Sequence, residues 1–300
     1  MLEIKVSVIV PAYNEAPNIE VLLKELSRIL PNDYEVIIVD DGSEDGTLAL
    51  ACQGQRNYPW LQVASHNQNL GKTQAIITGA KIARGKILVI FDADLQFAPA
   101  DILRLVEKID EGADMCVGWK QGKYEKWLVS AVYNYLARKF FRLKIHDMNA
   151  VKAFKREIID SLSLRKDWHR YLVPLAFDLG YRITEIPVKL YPRRFGRPKY
   201  QNPWRVVIGM FDLIAVAFQL TIMRKPMLYF GTYGAISIIL GFVTGIIAIV
   251  LRILGHGFRP LLYLVILLVI SGLLLFGFGL LGEAVATIND RLDRLIKKSQ

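Results

Sequence analysis

Ile87-Leu88-Val89-Ile90-Phe91-Asp92-Ala93-Asp94-Leu95-Gln96 is the stretch on which the reading of this chain turns. Five consecutive apolar residues predict a buried strand, drawn from Lys86 to Phe91. Two carboxylates follow at once. Where strand geometry persists, residues two apart point to the same side, so Asp92 and Asp94 make an acidic spot at a sheet edge. Mg²⁺ or Mn²⁺ takes oxygen ligands of this kind and is commonly shared with a diphosphate. The bland alternative is a pair of solvated turn aspartates. The place directly after a buried strand, in register with Asp40-Asp41 after another, favours the metal reading.

Strand and helix patterns alternate on either side of this stretch. Val6–Val10, Glu35–Val39, Leu61–Ala64 and Asp114–Val117 read as strands. Helical periods fall at Pro17–Leu30, after a cap at Ser43 or Asp45, at Lys72–Ala83 and at Ala98–Ile109. Repeated βα units of this size predict a mostly parallel sheet covered by helices on both faces. In such sheets a ligand sits beyond the carboxyl ends of the strands. Those ends carry Pro11-Ala12-Tyr13-Asn14-Glu15, Asp40-Asp41-Gly42-Ser43, Asp92-Ala93-Asp94-Leu95-Gln96 and Gly118-Trp119-Lys120. Further along, Tyr124–Phe141 reads as a helix, and Asn149–Phe154 and Arg182–Val188 as strands. His169–Leu179 reads as a helix kinked or broken at Pro174.

The last third differs in kind. Pro226–Leu251 and Pro260–Gly282 contain no charged residue, and each is long enough to span a hydrocarbon core. The short connector between them predicts a hairpin through the bilayer. Lys and Arg flank its outer ends, at Arg224 and Lys225 and at Arg291, Arg294, Lys297 and Lys298. Both termini and the globular part are therefore expected on the cytoplasmic side, and no signal peptide precedes the first strand. The apolar stretch 203–223, interrupted by Arg205, Asp212 and Gln219, is expected to lie in the interface rather than to form a third span. Expected domains are thus 1–202 globular and catalytic, 203–225 interfacial, 226–285 a transmembrane hairpin and 286–300 a basic tail. Gly231, Gly234, Gly241 and Gly245 suit close helix packing, within one hairpin or between chains in a homo-oligomer.

The formal net charge is +10. With basic residues clustered near apolar segments, the charge points to an anionic membrane surface and a phosphate ligand rather than to nucleic acid, for which no motif is present. Cys52 and Cys116 lie far apart, without a disulfide or zinc spacing, and are expected to pack as small hydrophobes.

Four motifs in order now carry a resemblance. They are Val8-Ile9-Val10-Pro11-Ala12-Tyr13-Asn14-Glu15, Val39-Asp40-Asp41-Gly42-Ser43 with Asp45-Gly46-Thr47, Asn69-Leu70-Gly71-Lys72, and Asp92-Ala93-Asp94-Leu95-Gln96. With the basic loop Arg194-Phe195-Gly196-Arg197-Pro198-Lys199-Tyr200 and the paired spans, the chain resembles a family 2 glycosyltransferase. The subgroup is that of dolichyl-phosphate mannose synthases and polyprenyl-phosphate glucosyltransferases. The resemblance implies an α/β GT-A fold (Rossmann-like, of the nucleotide-diphospho-sugar transferases), followed by an interfacial helix and two transmembrane helices. It implies a nucleoside pocket lined by Pro11, Tyr13 and Glu15, with Asp40 and Asp41 near base and ribose. Asp92 and Asp94 would straddle diphosphate and metal, with Gln96 a further ligand. A turn plugged by an aromatic is the bland reading of Pro11 and Tyr13.

The implied reaction moves a hexose, with inversion, from UDP- or GDP-hexose to a polyprenyl phosphate such as dolichyl or undecaprenyl phosphate. A phosphate monoester, mostly dianionic at pH 7, needs no general base. Arg194, Arg197 and Lys199 would hold it, or else bind lipid headgroups. Lys120, with Lys123 and Lys126, reads equally as an anion site or a solvated basic face; the subgroup often has arginine near this point. Asp147-Met148-Asn149 resembles an acceptor-side motif, followed by a segment about one residue short, and Asp147 reads equally as a strand-edge cap. Two rival functions remain: transfer to a glycerolipid hydroxyl, with Asp147 as base, and an inactive GT-A membrane scaffold. No QxxRW of a processive synthase is present.

Overall fold

The computed structural model of the protein describes residues 3–122, 127–141, 143–162, 164–195 and 204–299. The apolar runs become β1 (Val6–Ala12), β2 (Tyr34–Asp40), β3 (Leu61–Ser65) and β4 (Ile87–Ile90). These four lie parallel, with β1 between β2 and β4. β5 (Met115–Gln121), β6 (Lys152–Lys155) and β7 (Ile183–Lys189) complete a seven-stranded sheet of order β3-β2-β1-β4-β6-β5-β7. β6 runs antiparallel to both its neighbours, so the sheet is mixed. Chain order reverses at β1, and the C-terminal edge there is the usual crevice for a ligand in a sheet of this build.

Alternation along the central strands explains the layers. Val8 and Val10 of β1 and Val36 and Ile38 of β2 pack in one core with Ile19, Leu22 and Leu26 of α1 (Ala16–Ile29) and Ile102, Leu105 and Val106 of α4 (Ala100–Asp110). Ile9 and Val39 point the other way, against α3 (Lys72–Ile82), where a Cβ added to Gly79 would lie 2.5 Å from Ile9 Cγ2. Strands buried on both faces read as unbroken apolar runs, which is why these were visible in the sequence. α2 (Thr47–Asn57) starts where Asp45 Oδ1 accepts the Thr47 N–H at 3.1 Å, so Asp45 serves the helix start, while Ser43 Oγ accepts the Asn14 N–H.

Two expectations need correction. Cys116 is buried in β5, but Cys52 is exposed on α2 and packs in no core. The helix expected over His169–Leu179, kinked or broken at Pro174, is in two pieces, but it divides earlier, into a 3-10 turn Trp168–Tyr171 and α7 (Leu172–Asp178). Pro174 sits in the first turn of α7, where its missing N–H has no helical partner to lose, so it neither kinks nor ends the helix. α5 (Trp127–Phe141) and α6 (Arg156–Asp160) complete the α/β part.

The chain divides into two compact units, Met1–Met210 and Phe211–Gln300. α8 (Trp204–Thr221) crosses from one to the other. In the second unit, the helices Met227–Ile253 and Arg259–Asn289 are long and apolar enough to cross a membrane. The first opens with a π-turn, Met227–Gly231, and continues as α9 (Thr232–Ile253). The second belongs to α10 (Arg259–Ser299), which runs unbroken into the basic tail. Gly234 and Gly272 face each other across the hairpin: a Cβ on Gly272 would lie 2.8 Å from Gly234 O and 2.6 Å from Ile238 Cγ1. Small residues thus bring the two backbones together inside one hairpin.

Gly272→Leu should therefore lower the thermal midpoint in detergent by several degrees, from overpacking of about 1–3 kcal/mol. Gly277→Leu, on the same helix with open space at its Cβ, should leave it unchanged. Equal melting of the two variants would show that the hairpin does not close at Gly272.

Candidate active site

An open cleft lies at the C-terminal edge of β1, β2 and β4. Pro11, Ala12, Tyr13 and Glu15 line it after β1, Asp41 after β2, and Asp92, Ala93 and Asp94 after β4. Asn69, Gly71 and Lys72, where α3 begins, and Arg193 complete the wall. Five segments far apart in sequence meet here, because the strands that precede them all end at one edge of the sheet.

Three carboxylates of the cleft, Glu15, Asp92 and Asp94, are paired with cations. Lys72 Nζ lies 2.5 Å from Asp92 Oδ1. Arg193 spans two acids, donating from Nη1 to Glu15 Oε1 at 3.1 Å and from Nη2 to Asp94 Oδ2 at 2.8 Å. The loop carrying Arg193 is pinned over the cleft, since Tyr191 N donates to Gln96 O at 2.8 Å and Gln96 Nε2 to Tyr191 O at 3.3 Å. Asp94 is pushed up to about 6, by burial first and by the charge of Asp92 second, against the pull of Arg193. Burial also opposes ionisation of Asp92, but the ammonium of Lys72, helped by Lys152 and Lys120, holds it below the usual carboxylate range.

The two aspartates therefore divide one role unequally: Asp92 is anionic and cation-paired, and Asp94 resists a second negative charge beside it. Two crowded carboxylates of this kind fit a divalent cation, which would remove their mutual repulsion. Among the described residues no group of three or more His, Cys, Asp or Glu is placed to hold a metal. The donor set thus suits an ion shared with ligand oxygens rather than one fully caged by protein.

The paired aspartates after β2 differ from one another. Asp41 accepts three hydrogen bonds, from His66 Nδ1 at 2.7 Å, Leu70 N at 2.9 Å and Gly71 N at 2.8 Å. It lines the cleft and at the same time clasps the segment leading to Lys72. Asp40 is buried beneath; its Oδ2 accepts the Ser43 N–H at 3.2 Å, while Oδ1 has no hydrogen-bond partner among the described residues. Gly42 lets these segments approach: it has φ +70°, and a Cβ there would stand 2.5 Å from the Gln68 carbonyl carbon.

Other expected site residues lie outside the cleft wall. Gln96 turns its amide to Tyr191, as above. Arg194 pairs with Glu25 of α1 at 2.6 Å. Asp147 is buried; its Oδ1 accepts the Asn149 N–H at 2.8 Å, closing the turn before β6, and Oδ2 lies 3.3 Å from Lys120 Nζ. Arg197 and Lys199, with Lys123 and Lys126, lie outside the described residues.

Sequence reasoning missed Lys72 and Arg193 as cleft residues, although each stands in or next to a motif already noted. It also missed Lys152. Burial, and then the charge of Lys72, push this lysine down to about 7, and its Nζ donates to Met148 O at 2.8 Å. No local pattern signals it, since one lysine in a short strand reads as a surface residue.

The comparisons agree with this architecture. The family model described as Glycosyl transferase family 2 matches residues 7–161. An undecaprenyl-phosphate 4-deoxy-4-formamido-L-arabinose transferase of Enterobacter sp. (strain 638) is 30% identical, over 95% of this chain and 89% of that protein. A dodecaprenyl-phosphate galacturonate synthase of Rhizobium johnstonii is 30% identical, over 94% and 88%. Among solved structures, glucosyl-3-phosphoglycerate synthase from Mycobacterium tuberculosis, in complex with Mn²⁺, UDP and glucosyl-3-phosphoglycerate, superposes with TM-score 0.58 at 23% identity. That match covers 72% of this chain and 79% of the other, and it identifies the sheet and its helices as a GT-A fold. With a family model over more than half of its residues and relatives matched along nearly its whole length, the chain belongs to glycosyl transferase family 2.

Proposed function

We propose that this protein transfers a hexose from a nucleotide-diphosphate sugar to a polyprenyl phosphate at the cytoplasmic membrane face. The observation that carries this reading is the near end-to-end match to two transferases whose names specify undecaprenyl and dodecaprenyl phosphate. The two helices long and apolar enough to cross a membrane support it, since a polyprenyl tail stays in the bilayer and its phosphate at the surface. The excess of Lys and Arg outside the hairpin ends supports cytoplasmic placement of 1–202 and of both termini.

In this reading the nucleoside rests on the wall formed by Pro11, Tyr13 and Asp41, with Asp40 below. The diphosphate extends toward Asp92 and Asp94. Lys72 and Arg193, which neutralise carboxylates in the ligand-free protein, turn toward the diphosphate and balance its charge. Asp92 and Asp94 would hold Mg²⁺ or Mn²⁺; Gln96 would join only by releasing Tyr191. The ion would supply positive charge to the departing nucleoside diphosphate. The solved relatives in complex with UDP and Mn²⁺ or Mg²⁺ are consistent with that chemistry.

An oxygen of the acceptor phosphate attacks the anomeric carbon from the face opposite the diphosphate. The new carbon–oxygen bond forms as the sugar–diphosphate bond breaks, and the leaving diphosphate takes the electron pair. The configuration inverts. The phosphate is already mostly dianionic at pH 7, so no side chain has to take a proton from it. Its placement falls to Lys120 and to the basic loop Arg194–Lys199.

Incubating the purified protein with Mn²⁺, undecaprenyl phosphate and a panel of UDP- and GDP-hexoses should yield a labelled lipid with at least one donor. Diacylglycerol in place of the phosphate should yield none. Transfer to diacylglycerol alone would overturn the acceptor assignment. Asp94→Asn should cut kcat/KM by about 10²–10³-fold. It should not lower the thermal midpoint of the ligand-free protein at pH 8, because burial and Asp92 both oppose the charge it removes. Arg193→Ala should raise the donor KM about tenfold or more, through loss of a charge-assisted bond to the diphosphate; an unchanged donor KM would place Arg193 outside the donor site.

A further inference from the structure

Behind the cleft wall lies a buried chain of hydrogen bonds that the reaction does not use directly. His66 follows β3. Its Nδ1 lies 2.7 Å from Asp41 Oδ1, and its Nε2 lies 2.9 Å from Thr78 Oγ1 in the middle of α3. Both His66 and Asp41 side chains are almost fully buried. A carboxylate only accepts, so Nδ1 carries the proton of that bond. Asp41 then spends its remaining capacity on the amides of Leu70 and Gly71.

Those amides belong to the turn that ends in Lys72. Gly71 has φ +92° and is the residue before α3 begins, so the turn is tight and unlike any continuation of the helix. Lys72 lies 2.5 Å from Asp92. A continuous path therefore runs from Thr78 through His66, Asp41 and the Leu70 and Gly71 amides to the ammonium beside the metal-binding carboxylates. α3 supplies both of its ends, Thr78 in the helix interior and Lys72 at its first residue, and β2 supplies the fixed point between them.

We propose that His66 is a positioning residue for the donor site: by fixing Asp41 it holds the 69–72 turn and so places Lys72 against the diphosphate. His66 does not line the cleft, and its effect passes through Asp41. Without the imidazole, Asp41 would keep its two amide bonds, Oδ1 to Leu70 and Oδ2 to Gly71, but would lose the bond that ties it through the ring to Thr78 of α3, so carboxylate and turn could shift together. The turn would then lose the orientation that aims Lys72. Asn at position 66 would restore the essential half, because its amide nitrogen overlies Nδ1 and donates to Asp41. Gln would not, because its amide reaches toward the Nε2 position.

The proposal rests on the donor-side reading above, and the test keeps the two separable. The full-length protein and its His66→Ala, His66→Asn, His66→Gln and Thr78→Val variants are compared by hydrogen exchange without ligand and by transfer kinetics. In His66→Ala, exchange of the Leu70 and Gly71 amides should rise about tenfold or more, the loss of roughly one hydrogen bond's protection. The donor KM should rise by a similar factor while the KM for polyprenyl phosphate stays within twofold. His66→Asn should recover most of both effects and His66→Gln should not. Thr78→Val, which keeps the ring and removes only its far bond, should shift both readouts the same way by a smaller factor, so the proposal stays testable if His66→Ala fails to fold.

Unchanged exchange at residues 70 and 71 in His66→Ala would overturn the proposal. So would His66→Asn as impaired as His66→Ala, or a loss falling equally on donor and acceptor. The exchange measurement needs no substrate. Should the wild-type protein transfer nothing to polyprenyl phosphate, the functional reading would fail while the exchange data still judged the relay.

Discussion

Two carboxylates crowded at the end of a buried strand impose the constraint around which the α/β part is organised. Asp92 and Asp94 stand at the C-terminal edge of β4, where both cannot carry charge without help. Lys72 answers Asp92, and Arg193 answers Asp94 and Glu15 together. Asp94 remains the less readily ionised of the pair, because it is buried and faces its neighbour's charge. In the proposed function, a divalent cation shared with the diphosphate would take over the charge balance that Lys72 and Arg193 supply here.

That charge balance depends on loops rather than on strands. The sheet supplies a rigid edge, but Lys72 arrives on the turn before α3 and Arg193 on the loop after β7. Each turn is secured by its own contact: Asp41 clasps the backbone at Leu70 and Gly71, and Gln96 and Tyr191 exchange two bonds. The first of these explains why the two aspartates after β2 are not duplicates. Asp41 accepts three hydrogen bonds from the protein, whereas Asp40 Oδ1 has no partner among the described residues.

The helical hairpin follows a different rule. In the α/β unit, apolar residues face inward and two layers of helix cover the sheet. Along the two long helices of the second unit, apolar residues such as Phe242, Ile249, Tyr263 and Leu281 stand exposed, while glycines are what the helices turn toward each other. In lipid there is no hydrophobic gain from burying leucine, and close backbone approach is what holds a pair of helices together. The same chain thus inverts its packing logic where its surroundings change.

What the sequence determined by itself was everything carried by local pattern. Unbroken apolar runs marked the strands of the parallel core, a 3.6-residue period marked α1 and α4, and length without charge marked the two long helices. The polar residues after each strand were legible as a site because parallel strands send their carboxyl ends to one edge. Helix breaks were less legible, as Pro174 shows: a proline in a first turn and one in a helix interior look the same until the helix start is known. Only the tertiary structure decided which charges meet. Arg193 and Glu15 are 178 residues apart, and Lys72 and Asp92 are 20 apart across a helix and a strand. Such pairings depend on where loops run once the core has packed, and on the low dielectric that burial creates. No periodicity in the chain encodes either.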